Sequence, residues 1–150
     1  MRQNLYENLY IKQLNVEDAI TESNYPVSGS YIDVTNFTHF AFVILAGGLT
    51  SELTFQVYQD TSATETASIK VVTGATETIA ATGDDKTYSI EVAVENLDIA
   101  NSFRYVTLTS TGAAGSDDYG AIFFVGWNAR HQPVTQPSTC PAANTTRVAG

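Results

Sequence analysis

The chain has 150 residues, enough for one domain that buries roughly two thirds of the surface its unfolded form exposes. Apolar types make up 43% and charged types only 15%, with Thr, Ser, Ala and Gly filling much of the rest, which argues for a β-rich body and against a disordered or long-helical one. Sixteen acids against seven bases give a net charge of -9, and no Lys or Arg occurs between Lys12 and Lys70, so the body would repel phosphate backbones rather than bind nucleic acid.

Residues 1–30 read as an N-terminal arm and linker. Leu5, Leu9, Ile11 and Leu14 are scattered apolar anchors, and Tyr6, Tyr10 and Tyr25 add rings. Asn15 to Ile20 has the composition of one helical turn capped at Asn15, too short to be stable alone. No charged stretch followed by an apolar core marks a secretory signal. Tyr25-Pro26-Val27-Ser28-Gly29-Ser30 then punctuates the chain.

Residues 31–129 carry the two-residue period of strands. Phe40 to Leu45 is apolar on both faces and reads as a central strand covered on both sides, by a neighbouring subunit or an arm. The longest apolar run, Phe40 to Ala46, is about seven residues, where a membrane-spanning helix needs about 20. Leu53-Thr54-Phe55-Gln56-Val57 and Tyr88 to Val94 alternate cleanly, as half-buried strands do. Ile69 to Thr73 and Arg104 to Thr109 supply two more, and Ile122 to Val125 repeats the two-faced apolar pattern. Thr61 to Thr82 is Thr/Ala-rich and low in anchors, a long hairpin or loop. The expected fold is all-β, about six to eight strands in a single sandwich of jelly-roll type with extended N- and C-terminal arms. Residues 130–150, with Pro133, Pro137 and Pro141, read as an extended tail unable to build a core.

Chemistry has few actors. His39 and His131 are far apart and lack ligand-like neighbours, so no metal site is expected. Asp84-Asp85 and Asp117-Asp118 sit in Gly-containing turns that favour Asp for local reasons. Cys140 has no partner in the chain and no activating base beside it. There is no nucleophile elbow, phosphate loop or dinucleotide fingerprint, and neither an enzymatic activity nor a cofactor is expected. The Asn-x-Thr triplets at Asn36 and Asn144 read as chance. What remains is recognition by surfaces and arms, with Leu5, Tyr6, Leu9, Tyr10, Ile11, Trp127, Arg130 and Pro133 as the partner-binding candidates.

A set of short motifs in a fixed order adds to this. Leu5-Tyr6-Glu7-Asn8 lies in the arm, and Tyr31-Ile32-Asp33-Val34-Thr35-Asn36-Phe37 leads into the first long apolar strand. Gly48-Leu49-Thr50 precedes Leu53-Thr54-Phe55 with Asp60 beyond it, Arg104-Tyr105-Val106 opens a late strand, and Gly126 to Pro133 closes the body. Together these resemble the head decoration (capsid cement) proteins of tailed bacteriophages over about Leu5 to Pro133. The chain departs from that pattern at Asn36, where Gly is usual, at Thr107, where a second Arg is usual, and at Trp127 to Arg130, where a Gly-His-Pro-Arg ending is usual. The resemblance implies a structural virion protein on the outer capsid surface, made in the bacterial host cytoplasm, that bridges subunits of the major capsid protein. It further implies a homotrimer, with neither nucleic acid nor membrane as partner. The alternatives are a carbohydrate-binding β-sandwich module, with Tyr or Trp as its platform, and a phage neck or tail structural protein.

Overall fold

A computed structural model describes residues 8–19, 23–26, 30–83, 85–112, 119–131 and 134–138. Nine strands form two antiparallel sheets: β1 (Tyr10–Ala19), β2 (Ser23–Tyr25), β3 (Ile32–Asp33), β4 (His39–Ala46), β5 (Leu53–Asp60), β6 (Lys70–Ile79), β7 (Lys86–Ala93), β8 (Tyr105–Thr111) and β9 (Tyr119–Trp127). One sheet has the order β1-β9-β4-β7, and the other β2-β8-β5-β6. The short β3 also pairs with β8, following β2 along the same edge, with Tyr25 opposite Leu108 and Ile32 opposite Val106. Pro26, which cannot donate to a ladder, lies between the two pieces. With β2 and β3 taken as one interrupted strand, every connection crosses between the sheets except the β5–β6 hairpin. That is the winding of a jelly roll, so the sandwich expected from the alternating patterns is the fold of the chain.

Alternation decides the faces. On β4, Phe40, Phe42 and Ile44 are fully buried while Val43 and Leu45 face outward. On β5, Leu53, Phe55 and Val57 turn in, as the sequence pattern requires. Phe124 of β9 is the hub of the core: its ring stacks on Phe40 at 5.6 Å between centroids and meets Phe42 edge-on at 5.4 Å. All three rings belong to the β1-β9-β4-β7 sheet, and each one taken out of water contributes about 1.5–3 kcal/mol to the core it shares with Leu53, Phe55 and Val57 of the other sheet.

The segment expected as an arm and linker over residues 1–30 instead contributes two sandwich strands. Tyr10–Ala19 is the edge strand β1, paired with β9 from Tyr10 opposite Gly126 to Ala19 opposite Tyr119. The helical turn expected at Asn15 to Ile20 is likewise strand as far as Ala19. An edge strand needs backbone hydrogen bonds on one side and only one apolar face, so its polar residues hid it. β-bulges between Gln13 and Asn15 and between Asn15 and Asp18 also break its period.

Thr61 to Thr82 resolves into a connection and a ten-residue strand, β6, whose anchors are Val72, Ala75 and Ile79. The pairing of β5 with β6 jumps between Gln56 opposite Thr76 and Tyr58 opposite Val71, leaving extra residues on β6. The Gln56 amide nitrogen enters this bulge and donates to the carbonyls of Val72 (3.2 Å) and Ala75 (2.9 Å). Gly74 takes the left-handed backbone there, with φ of 79°.

The tail is also more than a tail at its start. Val134 is 4% exposed and belongs to the core, and Gln136 lies along the outer edge of β1. Its side-chain oxygen accepts from the Ile11 N–H at 3.2 Å and its amide nitrogen donates to the Leu9 carbonyl. One side chain thus satisfies β1 as a neighbouring strand would, and blunts an edge that otherwise invites pairing with another chain.

Candidate binding surfaces

Directly opposed residues share a face, so the register of β1, β9, β4 and β7 defines what the first sheet turns away from the core. One row is Ile11, Val125, Ala41 and Glu91, and the next is Gln13, Phe123, Val43 and Ser89. Beyond them lie Ala121, Leu45 and Thr87, and at the other end Trp127, His39 and Ala93. Leu45 is 40% exposed, and Ile11, Val43, Phe123, Val125 and Trp127 are half-buried. Glu91 is the one charge in these rows, at the β7 margin, so the centre of the face is apolar and uncharged. Trp127 and His39 close it as a stacked pair, centroids 5.7 Å apart and planes at 15°. The His39 Nδ1 meets Thr38 Oγ1 at 3.0 Å, which suits a strand-end residue.

At the end of the sandwich where β4 begins and β9 finishes, buried polar side chains on the strands pin the loops. The Asp60 carboxylate, with no exposure, accepts from the N–H groups of Thr61 (2.6 Å), Ser62 (3.3 Å) and Thr66 (2.7 Å) and from the Thr66 hydroxyl (2.7 Å). Burial pushes its pKa up, but these hydrogen bonds together outweigh burial and hold it below the ordinary aspartate range. Tyr31 docks against the same loop, its N–H to the Ala63 carbonyl at 2.7 Å and its hydroxyl to Glu65 at 3.2 Å. Burial, then the charge of Glu65, raise the Tyr31 pKa. The buried Gln59 accepts from the Asp98 N–H at 2.8 Å, and Lys70 pairs with the Asp98 carboxylate while its ammonium lies 4.0 Å over the Phe103 ring.

Asn36 fastens the exit of β9. Its backbone carbonyl accepts from Arg130 N–H at 2.7 Å, its side-chain oxygen from His131 N–H at 2.9 Å, and its amide nitrogen donates to the His131 carbonyl at 3.2 Å. Two clefts open on either side of this clamp. The first, of about 470 Å³, lies between β1 and β3, with Tyr10, Ile32, Phe37 and Val134 as its apolar part and Lys12, Asp33, Asn36 and His131 among its polar lining. The second, of about 450 Å³, is more apolar and is lined by Val94, Ile99, Phe103, Arg104 and Arg130.

The sequence candidates therefore divide. Ile11 and Trp127 lie on the outer sheet face, Tyr10 lines the first cleft, Arg130 lines the second, and Leu9 offers its carbonyl to Gln136. Leu5, Tyr6, Pro133, Asp84, Asp117, Asp118, Cys140 and Asn144 lie outside the described residues. Asp85 has φ of 54°, the conformation of a turn residue. Sequence reasoning missed Lys12, Asn36 and His131 as cleft residues, because strand pairing alone brings them together. Phe123 and Val125 had a signal in the two-faced apolar run.

Among the described residues no three His, Cys, Asp or Glu side chains gather as a metal site, and no helix is long and apolar enough to cross a membrane. No protein-family model matches the chain, and comparison with curated proteins finds no relative.

Proposed function

We propose that the chain is a structural virion protein, a decoration or cement protein that binds the outer surface of a tailed-phage head and bridges major capsid protein subunits without catalysing a reaction. The observation that carries this reading is the outer face of the β1-β9-β4-β7 sheet, whose centre is apolar and uncharged in a chain of net charge -9. A contiguous apolar patch of this kind marks a surface built to be covered. The ordered motifs from Leu5 to Pro133 that resemble decoration proteins point to a capsid as the setting. Within that setting the protein assembles as a homotrimer, and the segments flanking the sandwich add contacts to neighbouring capsid subunits.

The test is co-sedimentation of the purified protein with expanded capsids that lack it. Saturable binding to capsids, lost in Val43→Lys, supports the reading. Failure of the unaltered protein to sediment with capsids contradicts it.

A further inference from the structure

Lys12 is an unusual lysine. It lies opposite Phe124 in the β1–β9 register, and Phe124 is fully buried, so its side chain leaves the strand on the inner face rather than toward solvent. It ends in the cleft between β1 and β3, where burial lowers its pKa. Among the described residues its ammonium makes no hydrogen bond and no ion pair. A half-buried cation with no ion-pair partner among the described residues is costly, and the cost is recovered when an anion reaches it.

Two other polar side chains of the cleft, Asp33 and Asn36, are already committed. Asp33 is the one carboxylate among its lining residues, and it receives Arg104 at 3.5 Å and the Thr35 N–H at 2.9 Å. The Asn36 amide is spent on the His131 backbone, which leaves the His131 imidazole facing the cleft. What sets the cleft apart is a cation beside an apolar floor of Tyr10, Phe37 and Val134.

We propose that this cleft receives the carboxylate of an Asp or Glu side chain from an acidic segment of a partner protein, with Lys12 as its counter-charge. The floor packs the methylene stem of the incoming side chain, and the His131 ring closes over it from the exit segment. This deepens the proposed function and rests on it for the identity of the partner, but the carboxylate recognition belongs to the isolated chain.

The experiment is an NMR titration of the isotope-labelled full chain with acetyl-Ala-Glu-Ala-amide, with acetyl-Ala-Gln-Ala-amide, and with methyl glucoside. The expected result is saturable shifts of the Lys12 and His131 signals with the Glu peptide. The Gln peptide should bind about tenfold more weakly, as the loss of one charge-assisted hydrogen bond requires. Lys12→Met should abolish the preference for Glu, and Lys12→Arg should retain it. Equal binding of the two peptides by the unaltered protein, no binding of either, or stronger shifts with the glucoside would overturn the proposal, and none of these outcomes depends on a variant folding. Glu-peptide binding by a chain that fails to sediment with capsids would leave the cleft standing and remove the capsid reading. Capsid binding without Glu-peptide binding would do the reverse.

Discussion

Phe37 packs against Gly126 so closely that a β-carbon on residue 126 would lie 2.9 Å from the Phe37 ring. Gly126 is flanked in register by Tyr10 and Phe40, and Tyr10 also meets the Phe37 ring at 5.5 Å. The missing side chain is what lets the 34–38 turn close over this end of the core. Gly126→Ala should therefore destabilise the fold by about 1–3 kcal/mol through overpacking, read as a lower midpoint in urea unfolding with an unchanged slope.

The Gln56 amide plays a different part, since its nitrogen donates to the Val72 and Ala75 carbonyls at the β5–β6 bulge. Gln56→Ala should cost about 1–3 kcal/mol and raise amide exchange across Val72 to Thr76 before other parts of the sheet, as hydrogen-exchange mass spectrometry would show.

Asp60 makes stability depend on pH. Its pKa is lower folded than unfolded, so its contribution is fully present above the unfolded aspartate value of about 3.9 and is lost as pH falls through the folded value. Asp60→Asn should cost about 3 kcal/mol at neutral pH. It should also flatten the fall in stability below about pH 4, measured as thermal midpoints across an acid series.

Val43 and Phe42 are neighbours on β4 that face opposite ways, Phe42 into the core and Val43 out. Phe42→Ala should cost about 3–5 kcal/mol in unfolding. Val43→Lys should cost about 1 kcal/mol or less, since Val43 is only half-buried, yet abolish co-sedimentation with capsids.

These contrasts show which parts of the molecule were legible in the chain and which were not. Strands with one buried face, such as Leu53 to Val57, declared themselves by alternation, and the two-faced runs at Phe40 and Ile122 announced the outer apolar surface. Edge strand β1 did not, because half of its hydrogen bonding and one of its faces have no requirement for apolar residues. β6 was hidden by a bulge whose stabilising group, Gln56, lies 20 residues from its hydroxyl donor Thr76. The clefts were illegible for a related reason. Lys12, Asn36 and His131 are joined by strand pairing and by one amide clamp, and no local pattern encodes either.

The proposed function makes this chain a surface-binding structural component of a phage head. Electron cryo-microscopy of the intact particle tests it most directly. The expected result is density for the jelly roll on the outside of the capsid, with the β1-β9-β4-β7 face covered by protein. Particles whose capsid surface lacks this density, or density with that face open to solvent, would contradict it.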